Sequence, residues 1–324
     1  MTIAAPRFWS ERNHPAARLL SPFGALYGAI AARRMRHEAP VAGIPLIVIG
    51  GLTAGGDGKT PLALAIAARL IALGARPAFS TRGYGRAGSG APFLVDLSRC
   101  RPRQAGDEAR LLARLAPTFV GADRRAAAEM AKRLGADVLV LDDGFHSRRL
   151  AADLALLAID SQYGAGNGRC LPAGPLRAPL AAQIAAADAL VSIGDGAAAA
   201  LPDGDKPRFL ARLAPCPSAA QRLAGARVFA FAGIARPEKF RRTLQEMGAE
   251  VVGTRWFGDH HWFTARDLRA LRRDAEHLGA ALVTTEKDAA RLADPEDIDV
   301  LPARLEFADP ASLDALLSRV SRRD

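Results

Sequence analysis

Residues 52–61, LTAGGDGKTP, place three glycines, two threonines and a lysine within ten positions. Glycines allow backbone N–H groups to point at phosphate oxygens, because no Cβ keeps the ligand away from the backbone. Lys59 would reach the outer phosphates of a nucleotide, and the hydroxyl of Thr60 can ligate Mg²⁺. The segment therefore predicts a phosphate-binding loop made of Thr53, Ala54, Gly55, Gly56, Asp57, Gly58, Lys59 and Thr60.

Thr53 departs from the usual pattern of such loops, G-x-x-x-x-G-K-[ST], because it replaces the first glycine. The surrounding sequence fits the pattern: the apolar run at 44–50 predicts a buried strand, and 61–74 predicts a helix whose N-terminus faces the anion. Pro61 suits an early position in that helix. The alternative is a glycine-rich turn that contains Gly-Lys-Thr by chance, and the coincidence of strand, loop and helix disfavours it.

Asp142 and Asp143 follow the apolar run VLVL at 138–141. An acid at the end of a buried strand beside a phosphate loop holds Mg²⁺ in many nucleotide-binding proteins. The alternative is two acids that cap a turn. Together with the loop, the pair predicts a nucleotide triphosphatase or a kinase, and because the guanine-reading pattern N-K-x-D is missing from the sequence, ATP is favoured over GTP.

Asp107 and the Asp-His-His run at 259–261 are candidates for moving a proton. Asp107 opens a predicted helix near the phosphate site, and a carboxylate there could accept a proton from an attacking hydroxyl. Asp259 with His260 or His261 could form an acid–imidazole pair, but the spacing alone favours a loop rich in polar residues. Two adjacent histidines rarely ligate one metal ion, so no metal site is predicted at that run.

The elements that would position these residues alternate between strand and helix, which predicts a doubly wound parallel sheet. Predicted strands lie at 44–50, 77–81, 118–122, 136–144, 154–160 and 186–194, with helices at 61–74, 106–117 and 123–135. The Gly- and Pro-rich segment 164–179 is predicted to be a surface loop. A Pro-containing stretch near 202–217 is interpreted as a domain connection. A second series follows, with strands at 226–234, 249–254 and 281–285 and helices at 237–248 and 265–279.

The 324-residue chain is basic, with a net charge of +10, and 49% of its residues are hydrophobic. This composition is typical of a soluble globular protein. A basic balance suits a phosphorylated substrate or an anionic membrane, whereas nucleic acid is not expected because the basic residues are dispersed and carry no nucleic-acid motif. Three scattered cysteines form no C-x-x-C pair, which argues against a zinc site and fits a reducing compartment.

The N-terminal segment predicts an amphipathic helix. Helical spacing places five large apolar residues on one face, namely Leu19, Phe23, Leu26, Tyr27 and Ile30. Only 14 uncharged residues separate Arg18 from Arg33, too few to span a bilayer. Two interpretations stay open: a helix that lies in the surface of a membrane, or a helix that packs on its own domain.

Taken together, these motifs resemble those of the tetraacyldisaccharide 4′-kinase family over nearly the whole chain. The resemblance rests on GLTAGGDGKTP, STRGYG, GDE, LDDGF, GNGRCLPAGPLR, FAGIARPEKF, GDHH and LVTTEKDAARL in this order. It implies a P-loop NTPase-like α/β fold, and Thr53 is the residue that the family has at that position. It also implies transfer of the γ-phosphate of ATP, with Mg²⁺, to the 4′-hydroxyl of a tetraacylated glucosamine disaccharide 1-phosphate in lipid A biosynthesis. The protein would lie on the cytoplasmic face of the inner membrane, against an anionic surface, and no protein partner is indicated.

The resemblance also implies roles for single residues. Lys59 and Thr60 would bind the phosphates and Mg²⁺, and Asp142 and Asp143 would belong to the metal and nucleotide site. Asp107 would be the base, with His260 preferred to His261 as its partner. The lipid-phosphate or transition-state side would be lined by Arg82, Tyr84 and Arg177. The expected domains are an amphipathic helix at 1–38, an ATP-binding domain at 39–220 and a smaller α/β domain at 221–324.

The sequence departs from the family pattern at two places. The family motif DDGxQH is DDGFHS here, so His146 stands at the glutamine position and Ser147 at the histidine position. The family motif LREP is LRAP here, and Ala178 supplies no carboxylate. These departures keep a nucleotide-regulated adaptor without turnover as an alternative function. A soluble P-loop ATPase or small-molecule kinase, whose N-terminal helix merely packs on its own domain, is a second alternative.

Overall fold

The computed structural model describes residues 6–83, 90–100, 102–194, 205–292 and 295–321. The strands are β1 (Leu46–Gly51), β2 (Pro77–Thr81), β3 (Phe93–Leu94), β4 (Thr118–Val120), β5 (Val138–Leu141), β6 (Leu154–Asp160), β7 (Ala189–Ile193), β8 (Arg208–Pro215), β9 (Arg227–Ala232), β10 (Glu250–Trp256), β11 (Ala281–Thr285), β12 (Ile298–Leu301) and β13 (Ala303–Phe307).

Helices alternate with these strands along much of the chain. They are α1 (Pro15–Leu19), α2 (Ser21–Met35), α3 (Lys59–Ala72), α4 (Pro102–Ala105), α5 (Asp107–Ala113), α6 (Arg124–Arg133), α7 (Leu180–Ala186), α8 (Pro217–Leu223), α9 (Pro237–Glu246), α10 (Ala265–His277), α11 (Glu286–Ala289) and α12 (Pro310–Ser321), preceded by a 3₁₀ turn at Arg7–Trp9.

The larger sheet has the strand order β13-β8-β7-β6-β1-β5-β2-β4-β3 within the described residues. Its pairs are parallel except β13 with β8 and β3 with β4. All six residues of β1 are buried, because side chains alternate between two apolar clusters on opposite faces of the sheet. On one face, Leu62, Ile66 and Leu70 of α3 are fully buried, and each such side chain stabilises the fold by roughly 1.5–3 kcal/mol. The predicted doubly wound sheet is confirmed.

The smaller sheet is entirely parallel in the described part of the chain, with the order β10-β9-β11-β12. It has its own apolar clusters, in which Val228 and Ala230 of β9 face one side and Phe229 and Phe231 face the other. The second α/β unit that the sequence predicts is therefore present, and β11 has the predicted bounds.

Two strands differ from the sequence-based division. Residues 208–215, which the sequence suggests as a connection between two domains, form β8 inside the larger sheet. β13, which the division at 221–324 places in the smaller domain, pairs antiparallel with β8 instead. α12 follows β13 and packs on α3, where Arg69 forms an ion pair with Asp314. The chain therefore returns to the larger unit, since strand partners depend on distant residues that local patterns do not contain.

The N-terminal helix α2 uses two different faces. An added Cβ at Gly24 would come within about 3 Å of Cys170 and Ala173, and one at Gly28 would come within about 3 Å of Cys170. The five apolar residues of the predicted face are exposed, and Phe23 and Leu26 are each 63% exposed. The helix thus packs on its own domain through small residues and leaves its large apolar residues uncovered. None of the helices in the described parts of the chain has the length and apolar content that a bilayer crossing requires.

Segment 164–179 is not a surface loop, contrary to the expectation from its composition. Ala173, Leu176 and Ala178 are buried, and Leu176 forms a bridge with Thr53 of the phosphate loop. The N-terminus covers this segment from outside, because the indole of Trp9 donates to the carbonyl of Pro172. Glycine and proline predicted the irregular backbone correctly, but they do not report burial, which depends on what packs against the segment.

Candidate active site

The phosphate loop is braced by a contact between its first and fifth residues. The hydroxyl of Thr53 donates to Oδ1 of Asp57 over 2.6 Å, and the backbone N–H of Thr53 donates to Oδ2 over 2.8 Å. Asp57 is buried, and burial raises its pKa. Asp57 therefore stabilises the loop from inside, and the Thr53 hydroxyl makes a hydrogen bond that a glycine at this position could not make. The sequence pattern shows that a threonine replaces glycine at position 53, but it does not show that Asp57 is the partner of this threonine.

Lys59 and Thr60 begin α3, directly after Gly58, whose φ of +82° is readily adopted only by glycine. The ammonium of Lys59 lies 3.3 Å from the carbonyl oxygen of Gly55, so its side chain folds over the loop. Thr60 donates its hydroxyl hydrogen to Oδ2 of Asp142 over 3.0 Å. The predicted loop and the predicted acidic strand end thus meet.

Asp142 has the environment of a metal ligand. Burial, together with the charges of Glu108 and Asp143, raises the pKa of Asp142 to about 7. Its Oδ1 is buried and has no hydrogen-bond partner. A divalent cation would satisfy this oxygen and offset the charge, so the residues present fit Mg²⁺. In the described residues no cluster of three His, Cys, Asp or Glu side chains could hold a metal ion. Mg²⁺ at a nucleotide usually keeps several waters and binds through one or two carboxylates and the phosphates.

Asp143 is held by Arg177 and not by the loop. The Nη1 of Arg177 lies 2.8 Å from Oδ1 of Asp143, and its Nε donates to the carbonyl of Thr53. Burial would raise the pKa of Asp143, but the charges of Arg177 and Lys59 outweigh it, so the pKa lies below the usual value. Asp143 has a φ of +57°, a strained conformation for a residue other than glycine. Arg177 therefore joins the phosphate loop to the acidic strand end.

Asp107, at the start of α5, forms a hydrogen bond and an ion pair with residues of the smaller unit. Its Oδ2 lies 3.0 Å from Nδ1 of His260 and 3.2 Å from Nε of Arg291. Burial would raise the pKa of Asp107, but the hydrogen bond from His260 and the charges of Lys287 and Arg291 outweigh it, so the pKa lies below its usual value. The predicted contact between Asp107 and His260 is confirmed.

His260 and His261 point in different directions. His260 has a φ of +57°, which turns its ring towards Asp107. His261 stacks on Phe257 and contacts Asp267 of α10. The preference for His260 as the partner of Asp107 therefore agrees with the geometry.

Arg291 is a site residue that the sequence reasoning did not assign. Its side chain is fully buried and donates to the carbonyls of His261 and Gly233 in the smaller unit. It also pairs with Asp288. The motif LVTTEKDAARL contains it, but only the fold shows that its guanidinium reaches Asp107.

A basic cavity of about 480 Å³ is lined by Ala122, Asp123, Arg124, Arg125 and Arg149. Arg124 is 2% exposed, and its Nη2 is buried without a hydrogen-bond partner. Burial and the charge of Arg82 lower the pKa of Arg124 to about 10, so it remains a cation at neutral pH. Arg82 is exposed, and Tyr84 lies outside the described residues. The sequence reasoning missed Arg124, which looked like an ordinary helix residue.

The departures from the family pattern have local replacements. His146 lies 2.7 Å from Oε1 of the buried Gln183, whose amide donates to the carbonyls of Leu52 and Ala178. Burial lowers the pKa of His146 to about 4, so its ring is neutral at neutral pH. The hydroxyl of Ser147 donates to the carbonyl of Gly144 and closes the turn. These residues thus support the backbone around the phosphate loop.

Comparisons with known proteins agree with this geometry. The family model for tetraacyldisaccharide-1-P 4′-kinase (LpxK) matches residues 16–322. A tetraacyldisaccharide 4′-kinase of Bradyrhizobium diazoefficiens is 47% identical over 322 residues, which cover 97% of this chain and 95% of the relative. A second, from Methylobacterium radiotolerans, is 50% identical over 316 residues, which cover 95% of this chain and 96% of the relative.

A solved structure supports the same assignment. It is described as the apo form of LpxK from Aquifex aeolicus in complex with ATP, and it superimposes with a TM-score of 0.76 at 27% identity. The match covers 94% of this chain and 99% of that one. The chain therefore belongs to the tetraacyldisaccharide-1-P 4′-kinase family, and it is an ATP-dependent kinase.

Proposed function

We propose that the residues around Lys59, Asp142 and Asp107 together transfer the γ-phosphate of ATP to the 4′-hydroxyl of an acylated glucosamine disaccharide 1-phosphate. The observation that carries this proposal is the meeting of the two units at Asp107. Glu108, the next residue, lies near enough to Asp142 to raise its pKa, so α5 brings the acid–imidazole pair beside the predicted metal site. A kinase needs this arrangement, because the acceptor must lie in line with the transferring phosphoryl group.

The phosphate loop and Lys59 would bind the nucleotide. In the transfer, a bond forms between the 4′-oxygen and the γ-phosphorus while the bond from that phosphorus to the β,γ-bridging oxygen breaks. Lys59 would stabilise the charge that develops on the phosphoryl oxygens. Thr60 and Asp142 would hold Mg²⁺, which offsets phosphate charge when it is bound.

Asp107 would orient the acceptor hydroxyl and receive its proton. Its low pKa keeps it ionised at neutral pH, so it is always ready to accept a hydrogen bond but is a weak base. Phosphoryl transfer depends mostly on positioning and charge stabilisation, so a weak base that is held rigidly suits the reaction. His260 and Arg291 would supply that rigidity, since His260 forms a hydrogen bond with Oδ2 of Asp107 and Arg291 forms an ion pair with the same oxygen.

The 1-phosphate of the acceptor would bind in the basic cavity at Arg124. This proposal rests on a buried guanidinium nitrogen without a partner, which a phosphate oxygen could satisfy. Arg149, an exposed residue of the same cavity, allows a test that does not disturb the core. Arg149→Gln should raise the KM for the disaccharide 1-phosphate and leave the KM for ATP unchanged. Equal effects on both constants would contradict the assignment.

The exposed apolar face of α2 would lie in the surface of an anionic membrane, where the acylated substrate is found. Residues 1–38 carry six arginines and two glutamates, so charge attraction would add to apolar insertion. The protein would then be a peripheral membrane enzyme, on the cytoplasmic face of the inner membrane.

The test of the proposed function is transfer of radiolabel from γ-labelled ATP to purified tetraacyldisaccharide 1-phosphate, with mass analysis of the product. We expect one added phosphate on the 4′-oxygen. A protein that hydrolyses ATP at the same rate with and without the lipid would instead be a soluble ATPase, and a protein that binds ATP without turnover would be an adaptor.

A further inference from the structure

Lys287, on α11 of the smaller unit, lies beside the acid–imidazole pair, and the reaction described above gives it no role. Its Nζ is 3.3 Å from Nε2 of His260, 3.6 Å from Oδ1 of Asp259 and 3.9 Å from Oε1 of Glu108. The side chain is 27% exposed, so its ammonium lies at the edge of the site and not in a protein core.

The contact with Nε2 determines which ring nitrogen of His260 carries the proton. A lysine ammonium has three donors and no acceptor, so Nε2 must accept the hydrogen bond through its lone pair. The ring proton then has to be on Nδ1. Nδ1 is the atom 3.0 Å from Oδ2 of Asp107, so the proton is directed at the carboxylate.

The surrounding charges explain why an added donor at Nε2 matters. The ring contacts Asp107 of α5, Asp259 of its own loop and Lys287 of α11, while Glu108 contacts Lys287 and Arg291 contacts Asp107. Asp259 Oδ2 is 3.8 Å from Nε2. A carboxylate only accepts, so Asp259 favours the ring proton on Nε2, whereas the ammonium of Lys287 only donates and favours a lone pair there.

We propose that Lys287 is a positioning residue for phosphoryl transfer, which keeps the ring proton of His260 on Nδ1 and directed at Asp107. This inference rests on the proposed role of Asp107 and His260. With the proton on Nε2 instead, Nδ1 would be an acceptor that faces a carboxylate, and His260 could not orient Asp107 by a hydrogen bond. With the proton on Nδ1, the ring orients one carboxylate oxygen and leaves the other lone pairs of Asp107 available to the acceptor hydroxyl.

The competing interpretation is that Lys287 only joins the two units through its ion pair with Glu108. A ¹⁵N NMR spectrum of the histidine rings separates the two interpretations, with the signals of His260 assigned by their loss in His260→Gln. In the wild-type protein at neutral pH we expect a proton on Nδ1 and none on Nε2. A proton on Nε2 in the wild-type protein would overturn the inference, whatever the variants do.

Lys287→Met tests the same point through a variant. Without the ammonium, Asp259 remains beside Nε2, so part of the ring proton should move to Nε2 in the ¹⁵N spectrum of Lys287→Met at neutral pH. The value of kcat should fall, with the KM for ATP unchanged. Lys287→Arg, which keeps a donor, should restore most of kcat, and Lys132→Met on the exposed side of α6 serves as the control.

Three results distinguish this inference from the proposed function. If Asp107→Asn and His260→Ala lower kcat but Lys287→Met leaves both the His260 signals and kcat unchanged, only the inference fails. If Asp107→Asn keeps the wild-type kcat, the proposed base fails, while the NMR spectrum still reports the ring proton. If Lys287→Met changes only the KM for ATP, Lys287 is an ion-pair residue between the two units.

Discussion

Asp142 and Asp143 are neighbours in sequence but lie in opposite electrostatic environments. Asp142 has a buried oxygen without a partner and a pKa raised to about 7, whereas Arg177 and Lys59 keep the pKa of Asp143 low. The sequence predicts both as metal ligands because it shows only two acids at a strand end. The geometry favours Asp142 with Thr60 for that role and assigns Asp143 an ion pair with Arg177. Which carboxylate oxygens of these two residues have a hydrogen-bond partner depends on side chains that are distant in the sequence.

Asp142→Asn should stabilise the nucleotide-free protein at pH 8. Above its folded pKa of about 7 the buried carboxylate is charged, and this charge disfavours the folded state relative to an unfolded chain in which the group is solvated. Below that pKa the folded state binds the proton, so the gain should shrink as the pH falls towards 5. Thermal unfolding at both pH values measures this, and the variant should also lose transfer activity. A stabilisation that does not depend on pH would show that Asp142 is not the group responsible.

Lys59→Ala should lower kcat at least ~10²-fold, because its charge is directed at the phosphoryl group that is transferred. Lys132→Ala, an exposed lysine of α6, provides the control and should keep the wild-type rate. The measurement is initial-rate transfer from ATP to the disaccharide acceptor. Wild-type kcat and ATP affinity in Lys59→Ala would refute the assignment of the phosphate loop.

The phosphate loop shows how far local sequence carries. Strand, glycines, Lys59 and helix occur together within about thirty residues, so the amino-acid sequence by itself is enough to predict the site. The contact of Thr53 with Asp57 and the reach of Arg177 to both Thr53 and Asp143 could not be predicted in this way. Both depend on side-chain directions that the motif does not specify.

The helix α2 packs on its own domain, as one of the two interpretations from the sequence expects, and it also leaves the predicted apolar face exposed. Its small residues fit closely against Cys170 and Ala173, and its large residues remain exposed. Segment 164–179, which packs against α2, also contains Leu176, and Leu176 forms a bridge with Thr53 of the phosphate loop. The helix is therefore attached close to that loop. Apolar periodicity identified the face correctly, but only packing shows which side is covered.

Replacing Phe23 and Leu26 by serine should weaken binding to anionic vesicles without unfolding the protein. Both side chains are exposed, so the folded state loses little, whereas each methylene removed from the membrane costs about 0.8 kcal/mol of binding. Flotation at low and high salt measures the effect, and binding of the wild type should weaken as the salt concentration rises. Ile71→Ser with Leu73→Ser, two exposed apolar residues near the end of α3, form the matched control. Equal losses in the two pairs would mean that α2 has no special part in binding.

The sequence predicts where several strands lie, but it does not predict how all of them pair. The bounds of β2, β6 and β11 follow from short apolar runs, and the structure has them where the sequence predicts them. β8 and β13 were not recognised as partners, because they pair across a whole inserted unit. Along the sequence, the smaller unit thus lies between β8 and β13 of the larger sheet.

The whole molecule places its reactive groups where its two units meet. Asp107 belongs to the larger unit, while His260, Lys287 and Arg291 belong to the smaller one. The family resemblance suggested Asp107 and His260, but residues 153 positions apart in sequence can be related only through the fold. The two units also contact each other at Asp160 of β6, which pairs with Arg236 and Lys239 of the smaller unit.

The most direct test of this account is a double-mutant cycle on kcat for transfer from ATP to the disaccharide 1-phosphate. Asp107→Asn and His260→Ala should each lower kcat by about 10²–10⁴-fold, and the double mutant should be little worse than the worse single mutant, because the two residues act as one unit. His261→Ala, whose ring faces Asp267 instead, should lose much less. Losses that multiply in the double mutant, or a larger loss in His261→Ala than in His260→Ala, would contradict the account.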